Sequence, residues 1–141
     1  MTHTLLSVTL PAFVISMVYV LFLGYRRDYI GHFAAGYGGT LCAITVVLAA
    51  VPLSAYRSAS SGLPLVCTIV CILAGAIAEA TVFRLAKFDE IDFCNQSLGA
   101  VLAGLAVCHL SGVTKPTDKL FTASIAVGFV FLVVGNYFAL T

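Results

Sequence analysis

Apolar residues in this chain come in long unbroken runs, and the polar residues gather in the short stretches between them. Five runs approach the roughly 20 residues that an α-helix needs to cross the hydrocarbon core of a bilayer. They cover residues 5–25, 31–53, 63–85, 93–110 and 120–140. None alternates polar with apolar as the strands of a membrane barrel do, so each predicts a helix. The links between them are 26–30, 54–62, 86–92 and 112–119; the second is Ser-rich and carries only Arg57 as a charge. Pro52, Pro64 and Pro116 predict helix boundaries, where the missing N–H costs least, and Pro11 sits near the entry of the first run. No link is long enough to separate domains. The pattern predicts one all-α domain, a polytopic transmembrane helical bundle of about five spans.

Composition strengthens that reading. The chain is 61% hydrophobic and only 9% charged over 141 residues, with a mean hydropathy of +1.09. A soluble domain is about 45–50% apolar and about 25% charged, so this chain cannot hide its apolar surface from water. The net charge of +1 provides no basic field for nucleic acid. The segment Met1-Thr2-His3-Thr4 has no Lys or Arg, no A-x-A site follows, and Arg26-Arg27 closes the first run, which predicts a retained span. Cys42, Cys67, Cys71, Cys94 and Cys108 contain no C-x-x-C; Cys67 and Cys71 stand one helical turn apart, a spacing that suits packing.

With so few charges, their placement is informative. Five spans put the first and third links on one membrane face and the second and fourth on the other. The Asp28–His32 region and the Glu79–Gln96 region therefore share a level. Asp28 and His32 are one turn apart, so the carboxylate is expected to orient the imidazole. Glu79 lies about two turns inside the third run, five residues before Arg84. An intramembrane carboxylate is costly and points to function unless it is simply paired to lock the bundle. Asp92 is expected to cap the fourth helix, and Asn95 and Gln96 to carry the polar patch inward. These seven residues, Asp28, His32, Glu79, Arg84, Asp92, Asn95 and Gln96, are the candidate ligand-binding set. Lys and Arg number four on this face (Arg26, Arg27, Arg84, Lys87) and three on the other (Arg57, Lys115, Lys119), a margin of one charge that favours a cytoplasmic polar face with the N-terminus outside without deciding it.

Several chemistries are set aside. His32 and His109 fall at opposite faces, so they do not share a haem. One histidine with scattered acids is not a metal set, no serine has a His/Asp context, and no cofactor is expected. Small residues recur every four positions: Gly31, Ala35 and Gly39; Ala74 and Ala78; Gly99 with Ala103; Ala100 with Gly104. Such steps let helices approach closely in lipid, and packing within the bundle explains them more economically than homodimerisation. The fifth run, with only Gly128 and Gly135, is expected to be the most lipid-exposed or the one that meets a partner.

The polar positions resemble the VanZ-like membrane proteins, named for a teicoplanin-resistance factor. A D-x-x-x-H step entering an early helix is matched by Asp28-Tyr29-Ile30-Gly31-His32, followed by Phe33. A Glu late in a middle helix corresponds to Glu79. An F-x-x-x-D step into N-x-x-G corresponds to Phe88 through Asp92 and then Gln96-Ser97-Leu98-Gly99, with Gly104 beyond. The chain departs from the pattern at Tyr29 (usually Lys), at Gln96 (usually Asn, with Asn95 one place early) and at Ala86-Lys87 (usually Arg before the Phe). The match spans roughly residues 25–105. The resemblance implies a bacterial cell-membrane protein tied to glycopeptides or lipid amphiphiles.

Two functional readings follow. In the first, the one-sided polar pocket binds a lipid headgroup or envelope amphiphile, and His32 with Asp28 is the acid–base candidate if there is chemistry. In the second, the chain is a non-catalytic accessory subunit of a larger membrane complex and uses only its helix surfaces. A proton-coupled carrier working through Glu79 ranks below both.

Overall fold

A computed structural model describes residues 2–23, 26–81, 88–113 and 118–140 of the chain. Among them stand five α-helices: α1 Thr2–Phe22, α2 Arg27–Ala50, α3 Leu53–Thr81, α4 Glu90–Val113 and α5 Asp118–Leu140. Each contains a stretch long and apolar enough to cross a membrane. The protein is an all-α, multi-pass membrane protein.

The boundaries shift in two informative places. The expected link at 54–62 is helical, and α2 and α3 are joined only through Val51 and Pro52. Pro52 precedes the first turn of α3, where no N–H is needed, and the Ser/Ala-rich stretch after it contains nothing to stop a helix before Gly62. The 29 residues of α3 extend about 43 Å at 1.5 Å each, longer than the hydrocarbon core, and its apolar span begins at Gly62. Pro64, expected at a boundary, is therefore inside α3 and buried, and Thr68 Oγ1 donates to its carbonyl at 2.8 Å. Pro11 is likewise inside α1. Pro116 lies outside the described residues.

α2 is the hub. Some 56% of its span is buried, against 17% for α1. Phe33, Tyr37, Leu41, Ile44 and Leu48 recur at steps of four and three along it and form the core with Val8, Ala12 and Tyr19 of α1 and Ala103, Val107 and Leu110 of α4. Aromatic rings bind the layers together: Tyr19 and Phe33 lie 5.8 Å apart by centroid, and Tyr37 and Phe131 5.5 Å. The outer faces of α1, α3 and α5 present large apolar residues such as Phe13, Ile69 and Phe129 to the lipid.

Glycines set how closely the helices meet. A β-carbon at Gly31 would fall 2.8 Å from the Phe138 carbonyl carbon, one at Gly38 2.9 Å from that of Phe131, and one at Gly135 2.8 Å from that of Ala34. One face of α5 is thus pressed against α2 through Gly128 and Gly135, while its other side faces lipid. Of the two sequence expectations for α5, that it is the most lipid-exposed helix or the one that meets a partner, the first is corrected: α1 is the least buried span. Seven residues make nearly two full turns, so Gly128 and Gly135 share one face. Gly99 of α4 meets α2, where a β-carbon would lie 2.7 Å from the Tyr37 nitrogen, and Gly104 meets Thr68 of α3. α3 packs against α4 and α2, and among the described residues it does not touch α5.

Candidate functional site

The gap between α3 and α5 holds a cavity of about 420 Å³, within the range of small-molecule sites. α2 floors it with His32, Ala35, Gly36, Gly39 and Thr40; Ala74, Gly75 and Ala78 of α3 and Leu132 and Asn136 of α5 form its walls, with Gln96 and Ala100 of α4 behind. Ala74 and Asn136 are exposed, so the cavity opens at its rim toward the lipid-facing side. Most of the lining is small because the space exists only where side chains are short. Gly39, expected at a helix contact, is such a position: its β-carbon would meet only Leu132 Cδ1 at 3.5 Å, and neighbouring Gly38 makes the tight contact with α5. Ala35 serves both surfaces, bordering the cavity and lying against Gly135.

Polar groups collect where α2 and α4 begin and α3 ends; of these His32 and Gln96 line the cavity. His32 is in the second turn of α2, Glu79 two residues from the end of α3, and Asp92 in the first turn of α4. At 1.5 Å per residue all three lie within about 8 Å of their helix ends. His32 Nε2 stands 3.3 Å from Asp92 Oδ2, with both side chains largely buried. Asp92 Oδ1 and Glu79 Oε2 are buried and have no hydrogen-bond partner. Glu79 itself is only 5% exposed. Asn95 Oδ1 accepts the Tyr19 hydroxyl, which ties α1 to α4, while its Nδ2 has no partner. Gln96 reaches the cavity because Gly75 leaves room for its amide: a β-carbon there would fall 2.7 Å from Gln96 Cδ.

Two sequence expectations change at this end. Asp28 does not orient His32: it is half-exposed and pairs with Arg26 at 2.9 Å, and Asp92 takes the imidazole. That pairing raises the Arg26 guanidinium above its ordinary value, and the Arg26 guanidinium also lies over the Tyr29 ring at 4.3 Å. The N-terminal cap of α4 is Asp89, whose Oδ1 accepts from the Ile91 and Asp92 amides at 2.8 and 3.3 Å. Asp92 is thereby left to face His32. Arg84 lies outside the described residues.

Spacing did not indicate Thr40. Thr9, Thr45, Thr68 and Thr81 each return their hydroxyl to a carbonyl of their own helix, the usual way a membrane helix satisfies it. Thr40, 1% exposed and on the cavity wall, has an unpartnered Oγ1. Asn136 was also missed; its Nδ2 donates to the Leu132 carbonyl at 2.8 Å. No four-residue step or charge pair in the sequence marks either residue. Among the described residues no group of three His, Cys, Asp or Glu side chains is placed to hold a metal ion.

No family model, no curated protein and no solved structure matches this chain. The geometry of the groove and its polar end carries the functional argument.

Proposed function

We propose that the protein binds one membrane amphiphile, with the tail in the groove between α3 and α5 and the headgroup at the His32–Asp92–Glu79 end. The observation that carries this is the cavity itself, a slot open toward the outer side of the bundle, with His32 and Gln96 in its lining and the unpartnered Thr40 hydroxyl on its wall. The resemblance of Asp28–His32, Glu79 and Asp92–Gly99 to the VanZ-like pattern points the same way, toward an envelope amphiphile in a bacterial cell membrane.

The test is a groove-filling variant. Gly39→Leu places a side chain in the cavity where its β-carbon meets only the end of Leu132, so the bundle is expected to survive. Native mass spectrometry of protein extracted in mild detergent is expected to show a stoichiometric lipid on the wild type, lost from Gly39→Leu. Equal lipid content in both would contradict the reading. A stoichiometric set of protein subunits in place of the lipid would favour the accessory-subunit alternative.

A further inference from the structure

Gln96 lines the groove and offers it an amide. Its side chain lies across Gly75, where a β-carbon would fall 2.7 Å from Cδ and 3.0 Å from Oε1, and the residue is half-buried. Among the described residues this amide has no hydrogen-bond partner. Thr40 shows the same need from the α2 floor of the cavity, 1% exposed and with its Oγ1 unpartnered. An amide carries N–H donors and a carbonyl acceptor, and a hydroxyl carries a donor. A hydrocarbon tail answers none of them. A tail laid against Gln96 would cover the amide and leave it orphaned, which costs more than a formed hydrogen bond returns. The ligand therefore gains by bringing an oxygen to this level.

That oxygen belongs to an uncharged group. Among the described residues the lining holds no Asp, Glu, Lys or Arg, and the His32 imidazole at one end faces Asp92. Of the basic residues on this face, Arg26 pairs with Asp28, Arg27 borders a separate cavity between α1, α2 and α5, and Arg84 and Lys87 lie outside the described residues. An ion buried against Gln96 would lack a counter-charge, and an unpaired buried charge is costly. Gln96 also stands one turn further along α4 than Asp92, about 6 Å at 1.5 Å per residue. An ester-linked lipid carries its carbonyls in the corresponding place, a few bonds from the headgroup at the start of each tail. An ether-linked lipid of the same shape lacks them.

We propose that the groove selects an amphiphile whose tail is joined through an acyl carbonyl, with the Gln96 side-chain amide donating to that carbonyl. This rests on the groove reading above and adds the linkage that the ligand must have. Gly75 is the residue that makes room for the donor, since any side chain there would displace the amide.

Dioleoyl lipids and their dioleyl ether counterparts test it. Each pair is used as phosphatidylglycerol and as phosphatidylethanolamine, so that head and tail length are matched and only the linkage differs. The full chain is equilibrated with liposomes containing all four in equal amounts, extracted in mild detergent, and its retained lipid counted by native mass spectrometry. The expected result is an ester-over-ether preference of about three- to ten-fold with both heads, the effect of one neutral hydrogen bond. Gln96→Met and Gln96→Leu, which replace the amide by an apolar group, are each expected to bring ester and ether to equal retention. If one variant does not fold, the other decides. A preference that survives in a folded variant would overturn the assignment to Gln96. Equal retention of ester and ether by the wild type, with both lost from Gly39→Leu, would overturn the carbonyl and leave the groove reading intact. No difference between the wild type and Gly39→Leu for any of the four lipids would defeat the groove reading and the linkage with it.

Discussion

Buried polar side chains in this protein fall into two groups, those with partners and those without. Among the described residues the two buried tyrosines are satisfied. Tyr37 donates to the Val8 carbonyl close to Pro11, and Tyr19 donates to Asn95. Tyr19→Phe is expected to leave the Asn95 amide wholly unpartnered and to cost about 1–3 kcal/mol, read as an earlier unfolding transition in an SDS titration from mild detergent. At the polar end they are paired in part or not at all. His32→Leu leaves both Asp92 carboxyl oxygens without a partner, and the same titration is expected to show a loss of about 1–3 kcal/mol. A smaller loss would mean that the pair is solvated in the membrane. The shared level of Asp28, His32, Glu79 and Asp92 was legible from the alternation of spans. The pairing was not. A four-residue step on one helix suggested Asp28 for His32, but Arg26 sits just outside α2 and captures Asp28, while Asp92 arrives from a helix some sixty positions away in the chain.

At the scale of elements, adjacent turns of α2 have different tasks. Gly36 faces α4, where a β-carbon would fall 2.8 Å from the Gln96 carbonyl carbon; Gly39 faces the cavity. Gly36→Val is expected to destabilise the bundle by about 1–3 kcal/mol through overpacking against backbone that cannot yield. Gly39→Val is expected to leave stability within about 0.5 kcal/mol of the wild type, by the same titration. Equal losses would show that the groove closes in the membrane. Asp89→Ala, which removes the cap of α4, is expected to cost about 0.5–2 kcal/mol and to leave lipid binding unchanged, since Asp89 stands outside the groove. Helix number and type were legible because a run of about 20 apolar residues has one stable form in a bilayer. Helix ends were less so. Ser and Ala at 54–62 read as a link by their polarity, yet nothing in that stretch opposes a helix once Pro52 has started one.

For the whole molecule, the arrangement of α2 at the centre with α3 and α5 apart gives the protein its lateral opening. The spacing of small residues announced close packing, but it could not say which glycines meet a helix and which border empty volume. That depends on which neighbour faces each turn, and the neighbours come from distant parts of the chain. The central claim is that a lipid tail occupies the opening between α3 and α5. It is tested most directly by reconstituting the protein with a phospholipid bearing a diazirine in its tail, irradiating, and mapping the cross-linked residues by mass spectrometry. The account predicts adducts concentrated on Ala74, Ala78 and Leu132 and abolished there by Gly39→Leu. Adducts spread evenly over outward residues such as Phe13, Ile69 and Phe129, unchanged by that substitution, would contradict it.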